Sequence, residues 1–261
     1  MIRALWTGAT GMEAQQRGID VIANNLANVN TTGFKKSQAL FQDLLYQKIK
    51  SAGTAVNEEV QNPVGIEVGH GVQNVSTRRV FTQGELQITD QPLDVTIQGD
   101  GFFQVDMGGG NIGYTRDGAF TLNVDGDIVT QSGYRLDPAI NIPVGSTDIN
   151  VGKDGIVTAT DIDGIQVQVG QIEITSFANN TGLSAQGENI YRETVASGAP
   201  ILGLPGLEGR GALAGGILEI SNVKAVEEVV RLIEAQRAYE MNSKSIQTAD
   251  EMLRQANELK R

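Results

Sequence analysis

Steps of three and four along the N-terminus visit Ile2, Leu5, Ala9, Met12, Gln16, Ile19, Ala23 and Leu26, and every position except Gln16 is apolar or alanine. Within that row Leu5, Met12, Ile19 and Leu26 recur every seven residues, the period of a coiled-coil seam. The spacing predicts a helix over residues 2–30, about 43 Å long at the standard rise. Gly33 stands as a terminator after a polar run. Gly8, Gly11 and Gly18 weaken this helix by roughly 1 kcal/mol each relative to alanine, so it needs a partner to stay folded. The C-terminus repeats the pattern through Leu232, Ala235, Tyr239, Asn242, Ile246, Ala249, Leu253 and Ala256. It predicts a helix over 222–259, about 57 Å long, with Ser221-Asn222 as its cap, Glu227 and Glu228 at its positive end and Lys260 and Arg261 at its negative end. Val226, Val229, Val230 and Ile233 form a second apolar strip off the main seam. The two helices can pair within one chain. The leftover strip, however, is better accommodated by packing between subunits, with Gln16 and Asn242 as candidate register residues.

Between the helices the period changes. From Val72 to about Glu219 short alternating runs are separated by turn residues. Strands are predicted at 94–98 and 102–105 around Gly99-Asp100-Gly101, and at 119–124 and 128–130 around the hairpin signal Asp125-Gly126. A further alternating run covers 164–174. Residues 202–216 read as an extended return towards the C-terminal helix. Residues 40–46 read as helical, and 51–71 as loop or short strands. The fold class is therefore α+β: long N- and C-terminal helices packed as a coiled-coil-like domain, with a β-rich central domain inserted between them. The domains expected are 1–33 plus 222–261 (helical), 34–75 plus 200–221 (extended connection) and 76–199 (β-rich).

Composition sharpens the contrast. The chain has 261 residues, 40% of them apolar, with 32 glycines, one histidine, no cysteine and a net charge of −11. Residues 36–221 hold 10 basic against 22 acidic residues and 28 of the glycines, whereas 222–261 has neither glycine nor proline. An acidic chain of this kind argues against nucleic-acid binding. No apolar run is long enough for membrane insertion, and the start has no signal-peptide apolar region or cleavage site.

The absence of cysteine removes disulfides, thiolate metal sites and cysteine nucleophiles, and a single histidine rules out a multi-histidine metal site. Gly108 to Gly113 fits G-x-G-x-x-G but leads into a second strand, without the helix that would hold phosphate. Asn123, Asp125 and Asp127 have calcium-loop spacing, yet the glycine is in the wrong place and no closing glutamate follows. His70 lies between two glycines with no acid or nucleophile beside it. No catalytic, cofactor-binding or metal site is expected, and the chain reads as a non-enzyme.

Four strings carry a resemblance. Ala23-Asn24-Asn25-Leu26-Ala27-Asn28, continuing through Gly33-Phe34-Lys35, resembles the N-terminal signature of the bacterial flagellar rod and hook axial proteins. Gly99 to Val105 and Tyr114 to Leu122 are similar to the family's central motifs. Leu218 to Val223, followed by Glu234 to Lys244, resembles its C-terminal signature. In length and in Phe41 to Tyr46 the chain is most similar to the family's distal rod members. A proximal rod or hook subunit is the alternative within the class, and a monomeric extracellular binding module the alternative outside it.

The resemblance implies a non-enzymatic subunit of the flagellar basal body that assembles into a straight helical tube. It also implies export by the flagellar type III apparatus without a cleaved signal peptide, and a place in the distal rod as it crosses the periplasm. Expected partners are further copies of the chain, proximal rod subunits, hook or hook-junction subunits, the rod cap, and peptidoglycan and outer-membrane ring proteins as bushing. Leu5, Met12, Ile19 and Leu26, with Leu232, Tyr239, Asn242, Ile246 and Leu253, would form the self-assembly seams. Asn24, Asn25, Leu26, Ala27, Asn28, Gly33 and Phe34 would carry the family motif. Tyr46, Gly53, Pro63 and Gly65 would make the rod-stiffening contact.

Overall fold

The computed structural model describes residues 2–51, 55–57, 60–61, 64–143, 145–146, 148–162 and 164–259. The chain divides into two compact units: Met1–Leu26, Ser37–Arg78 and Ala225–Arg261 in the first, Ala27–Lys36 and Arg79–Lys224 in the second.

The first unit holds the helices α1 (Ile2–Ala27) and α2 (Ala225–Glu258). A Cβ added to Gly8 would lie 2.8 Å from Ile246 Cγ1, and one added to Gly11 would lie 2.9 Å from Asn242 Nδ2. Asn25 Nδ2 donates to Glu228 at 3.2 Å. The same number of residues separates Gly11 from Asn25 as separates Glu228 from Asn242, so the helices run antiparallel in one register. Small residues make this approach possible: besides the two glycines, Ala14, Ala235 and Ala249 are buried. The unit is completed by a ribbon in which Ser37–Asp43 pairs with Val72–Arg79 and Gln47–Lys50 pairs antiparallel with Ile66–Val68.

Four local expectations are corrected here. Residues 40–46 do not form a helix: Ser37–Asp43 is a strand. A helix of that length is marginal in water, while pairing with Val72–Arg79 satisfies the backbone at once. α1 stops at Ala27 rather than 30, and the turn after it is closed by Thr31 N–H donating to the Asn28 carbonyl at 3.2 Å. Gly33 is not a helix terminator but a point of close approach, discussed below. α2 starts at Ala225, not 222. Ser221 Oγ accepts from Val223 N–H at 3.3 Å, and Asn222 is engaged elsewhere. Lys260 and Arg261 lie outside the described residues.

The second unit is β structure. Its largest sheet runs Phe120–Leu122, Ile128–Thr130, Arg135–Asp137, Phe102–Asp106, Ile112–Thr115, Ile190–Arg192, Ser184–Gly187. Ile174–Ser176 joins through Phe102–Asp106 and pairs in turn with Ile201–Gly203. Asp148–Val151, Ile156–Thr160 and Gln166–Gln171 make a three-stranded meander. Val95–Gln98 pairs with Ala212–Gly215, and Leu86–Ile88 with Ile217–Glu219, all antiparallel.

The central strand Phe102–Asp106 is buried on both faces, because successive side chains point to opposite sides. Phe103 packs with Val95, Ile97, Phe120, Leu136 and Leu213. Phe102 packs with Tyr114, Phe177 and Tyr191, and Phe81 stands edge-on to Phe102 with centroids 5.4 Å apart. The hairpin expected at Asp125-Gly126 forms, and the Gly108 to Gly113 stretch is a loop joining two paired strands. Met107 N–H donates to Asn111 O at 2.9 Å across the glycine-rich loop, and Asn123 Oδ1 accepts from the amides of Asp125 and Asp127 at 2.9 and 2.8 Å.

Candidate assembly interface

In the second unit three of the sequence motifs converge on one carboxylate. Lys35 and Glu219 are both fully buried, with Lys35 Nζ 2.6 Å from Glu219 Oε1. Lys35 also donates to the Thr82 carbonyl at 2.9 Å. Gly84 N–H donates to the same Glu219 oxygen at 2.7 Å. Arg116 Nη1 lies 3.5 Å from Glu219 Oε2 and donates to the Ile97 carbonyl at 3.2 Å, with its guanidinium over the Phe102 ring.

Two buried cations thus share one buried anion. Desolvation holds the Lys35 ammonium below its ordinary pKa and outweighs the attraction of Glu219; Arg116 is lowered for the same reason. Gly33 brings the strings together: its N–H donates to the Glu219 carbonyl at 2.8 Å. Its φ is +66°, and a Cβ there would sit 2.5 Å from Asp117 N. Asn222 closes the site, donating to the Val80 carbonyl at 2.8 Å and accepting from Lys36 N–H at 2.8 Å. Lys35, Arg116 and Glu219 are each buried with fixed partners. The cluster fixes the backbone on either side of Lys35 and Glu219.

The first unit is different in kind, because its apolar surface is unfinished. Leu5, Met12, Ile19 and Leu26 are half-buried, as are Leu232, Asn242, Ile246 and Leu253, while Tyr239 is exposed. Val226, Val230, Ile233 and Met241 on α2 and Trp6 on α1 are exposed, with Val226 at 79% and Trp6 at 65%. On the ribbon Leu45 and Ile49 are also exposed.

Of the motif residues, Asn25, Gly33 and Phe34 are buried, Leu26 and Asn28 half-buried, and Asn24 and Ala27 exposed. Asn25 is structural: its Nδ2 donates to the Ser37 carbonyl and its Oδ1 accepts from Ser37 N–H, each at 2.8 Å. Tyr46 is exposed, hydrogen-bonded to Asp43, which raises its phenol pKa, and lies against Gly69. Gly65 is half-buried; Gly53 and Pro63 lie outside the described residues. Sequence reasoning quoted Lys35, Arg116 and Glu219 inside motif strings without assigning them a part. The available signal was a lysine directly after a phenylalanine and an arginine between strands.

Among the described residues no group of His, Asp or Glu is placed to hold a metal ion, and no helix is long and apolar enough to cross a membrane. A β unit with a closed core, joined in the chain to a helical unit with apolar strips left open, defines a building block, a protein whose surface is meant for packing.

Three stretches of the chain match known protein families. Residues 5–35 match the flagella basal body rod protein family, 96–159 the D1 domain of the flagellar hook protein FlgE/F/G family, and 214–259 the C-terminal family of flagellar basal body rod FlgEFG proteins. The chain is 51% identical to the flagellar basal-body rod protein FlgG of Buchnera aphidicola subsp. Acyrthosiphon pisum, over 99% of this chain and all of that one. Against two relatives from Caulobacter vibrioides it is 48% identical to FlgG, over 99% of this chain and all of the relative. It is 37% identical to FlgF, over 99% of this chain and 98% of the relative. The chain belongs to the FlgG family of flagellar basal-body rod proteins.

Proposed function

We propose that the chain is a structural subunit of the flagellar basal-body distal rod. It self-assembles into a straight, rigid helical tube that serves as a drive shaft from motor to hook and as an export channel. The observation that carries this reading is likeness to FlgG proteins over the whole length, greater for FlgG than for FlgF of one organism, at 48% against 37% identity. The open apolar strips of the helical unit support it, since a patch that packs on a different patch of the next copy generates an open helical filament when its rotation does not close into a ring.

In this reading residues 1–33 and 222–261, which hold the two helices, pack as a coiled-coil-like inner-tube domain. Residues 34–75 and 200–221 connect, and 76–199 face outward. Leu5, Met12, Ile19 and Leu26, with Leu232, Tyr239, Asn242, Ile246 and Leu253, form the seams. Tyr46, Gly53, Pro63 and Gly65 make the contact that braces neighbouring subunits and keeps the rod straight. The partners are other copies, proximal rod subunits, hook or hook-junction subunits, the rod cap and the ring proteins that surround the rod. Delivery is by the flagellar type III export apparatus without a cleaved signal peptide, and the rod crosses the periplasm.

The direct test is self-assembly of the purified full-length chain. Sedimentation and electron microscopy at rising concentration should reveal straight tubes; a monomer at the highest soluble concentration contradicts the reading.

A further inference from the structure

Three glycines interrupt α1, and the structure accounts for two of them. Gly8 and Gly11 face Ile246 and Asn242 so closely that a Cβ would collide. Gly18 has no such neighbour: a Cβ there would meet only Phe41 Cζ, at 3.8 Å. Alanine would fit, and would stabilise an exposed helix by roughly 0.5–1 kcal/mol through propensity alone. Gly18 forms part of the wall of a slot of about 390 Å³ within the helical unit, lined also by Ile22, Ala39, Phe41, Ala235 and Ala238. Its polar lining includes Gln38, Glu228, Arg231 and Glu234, two carboxylates against one guanidinium.

The same unit carries the chain's one tryptophan, Trp6, 65% exposed on α1. Tryptophan is the side chain most often found anchoring an interface in a pocket, and its indole N–H looks for an acceptor when buried. Twelve residues of helix separate Trp6 from Gly18, about 18 Å, so the indole cannot reach the slot of its own chain. The charges agree as well. Arg3 lies one helical turn before Trp6 on the same side, and neither Arg3 nor Glu234 makes an ion pair among the described residues.

We propose that Trp6 of one copy inserts into the Gly18 slot of a second copy, its N–H donating at the rim and Arg3 meeting Glu234. Knob and hole lie at different places on one chain, so the contact is heterologous and can propagate from copy to copy. This inference rests on the self-assembly reading and specifies one of its contacts.

Trp6 is its own reporter. The test follows tryptophan emission and iodide quenching of the full-length protein against concentration, with sedimentation measured on the same samples, for the wild type, Gly18→Ala and Gly18→Leu. Helical circular dichroism confirms that each variant is folded. As copies assemble, wild-type emission should shift to the blue and lose access to iodide. Gly18→Ala should stabilise the monomer, and Gly18→Leu, which fills the slot, should raise the half-assembly concentration about tenfold or more. Tubes in which Trp6 stays as open to iodide as in the monomer would overturn the inference while leaving self-assembly intact. So would Gly18→Leu assembling like the wild type with its emission shifted. Absence of assembly in the wild type would remove both.

Discussion

Glu219→Gln is the sharpest perturbation of the β unit. It keeps the shape of the side chain and leaves an oxygen that can still accept from Gly84 N–H, but it removes the carboxylate that both buried cations pair with, leaving them the weaker attraction of Asp100. Lys35 is then left with two neutral acceptors, that amide oxygen and the Thr82 carbonyl, and Arg116 with the carbonyls of Ile97 and Gly99. Breaking a buried pair by removing one partner costs about 3–5 kcal/mol, because the orphaned charge stays desolvated. With a urea dependence of about 2 kcal/mol per molar, the unfolding midpoint of this unit should fall by roughly 1.5–2.5 M. Near-ultraviolet circular dichroism of the buried Tyr114 and Tyr191 follows this unit, while fluorescence of Trp6 follows the helical one, so the loss can be assigned. Lys35→Met should cost less than Glu219→Gln, since it leaves one cation with one anion. The double variant should recover part of the loss, a coupling that a double-mutant cycle reads directly. A midpoint shift below about 0.5 M for Glu219→Gln, or a double variant that merely adds the two losses, would refute the argument.

Three further outcomes are expected. Leu253→Asp places an unpaired charge in the seam at a cost of several kcal/mol; tubes should be lost while tyrosine circular dichroism is unchanged, and normal tubes would count against the seam. Gly33→Ala should destabilise the β unit by about 1–3 kcal/mol, since it combines a left-handed backbone with a Cβ driven into Asp117 N; urea unfolding checks it, and an unchanged midpoint would mean the turn is not held there. Burial, with the charges of Glu193 and Asp137, pushes the Tyr114 phenol up to about 12 from an ordinary value of 10.0. The folded state therefore keeps that proton when the unfolded state has lost it, and stability present below pH 10 should decline as pH climbs towards 12. In Tyr114→Phe that decline should be shallower in unfolding midpoints compared at about pH 9 and about pH 11; an identical slope would deny the shift.

The helices were legible because one face repeats every three to four residues over more than twenty positions, a signal too long to arise from a strand. Strands such as Val95–Gln98 and Ile128–Thr130 were legible from alternation bounded by Asp-Gly and Gly-Asp-Gly turns. Residues 40–46 misled, since Leu40, Phe41, Leu44 and Leu45 satisfy helical spacing and the strand that claims them, Val72–Arg79, lies some thirty residues away. Asn222 misled in the same way: it has the chemistry of a cap, and a distant partner, Val80, takes its amide. The Lys35, Arg116 and Glu219 cluster was hidden for a related reason. Nothing local in three separate strings tells that two cations and a carboxylate will be buried together. The antiparallel register of α1 on α2 depended on the glycines, whose cost in helix propensity was visible before the close approach that explains Gly8 and Gly11.

The most direct measurement of the central claim is made in the parent bacterium, by deleting the gene, isolating basal bodies and imaging them. The account predicts rods that stop short, without hooks. A complete rod lacking only its hook would move the protein to the hook, and intact, motile flagella would contradict a place in the rod.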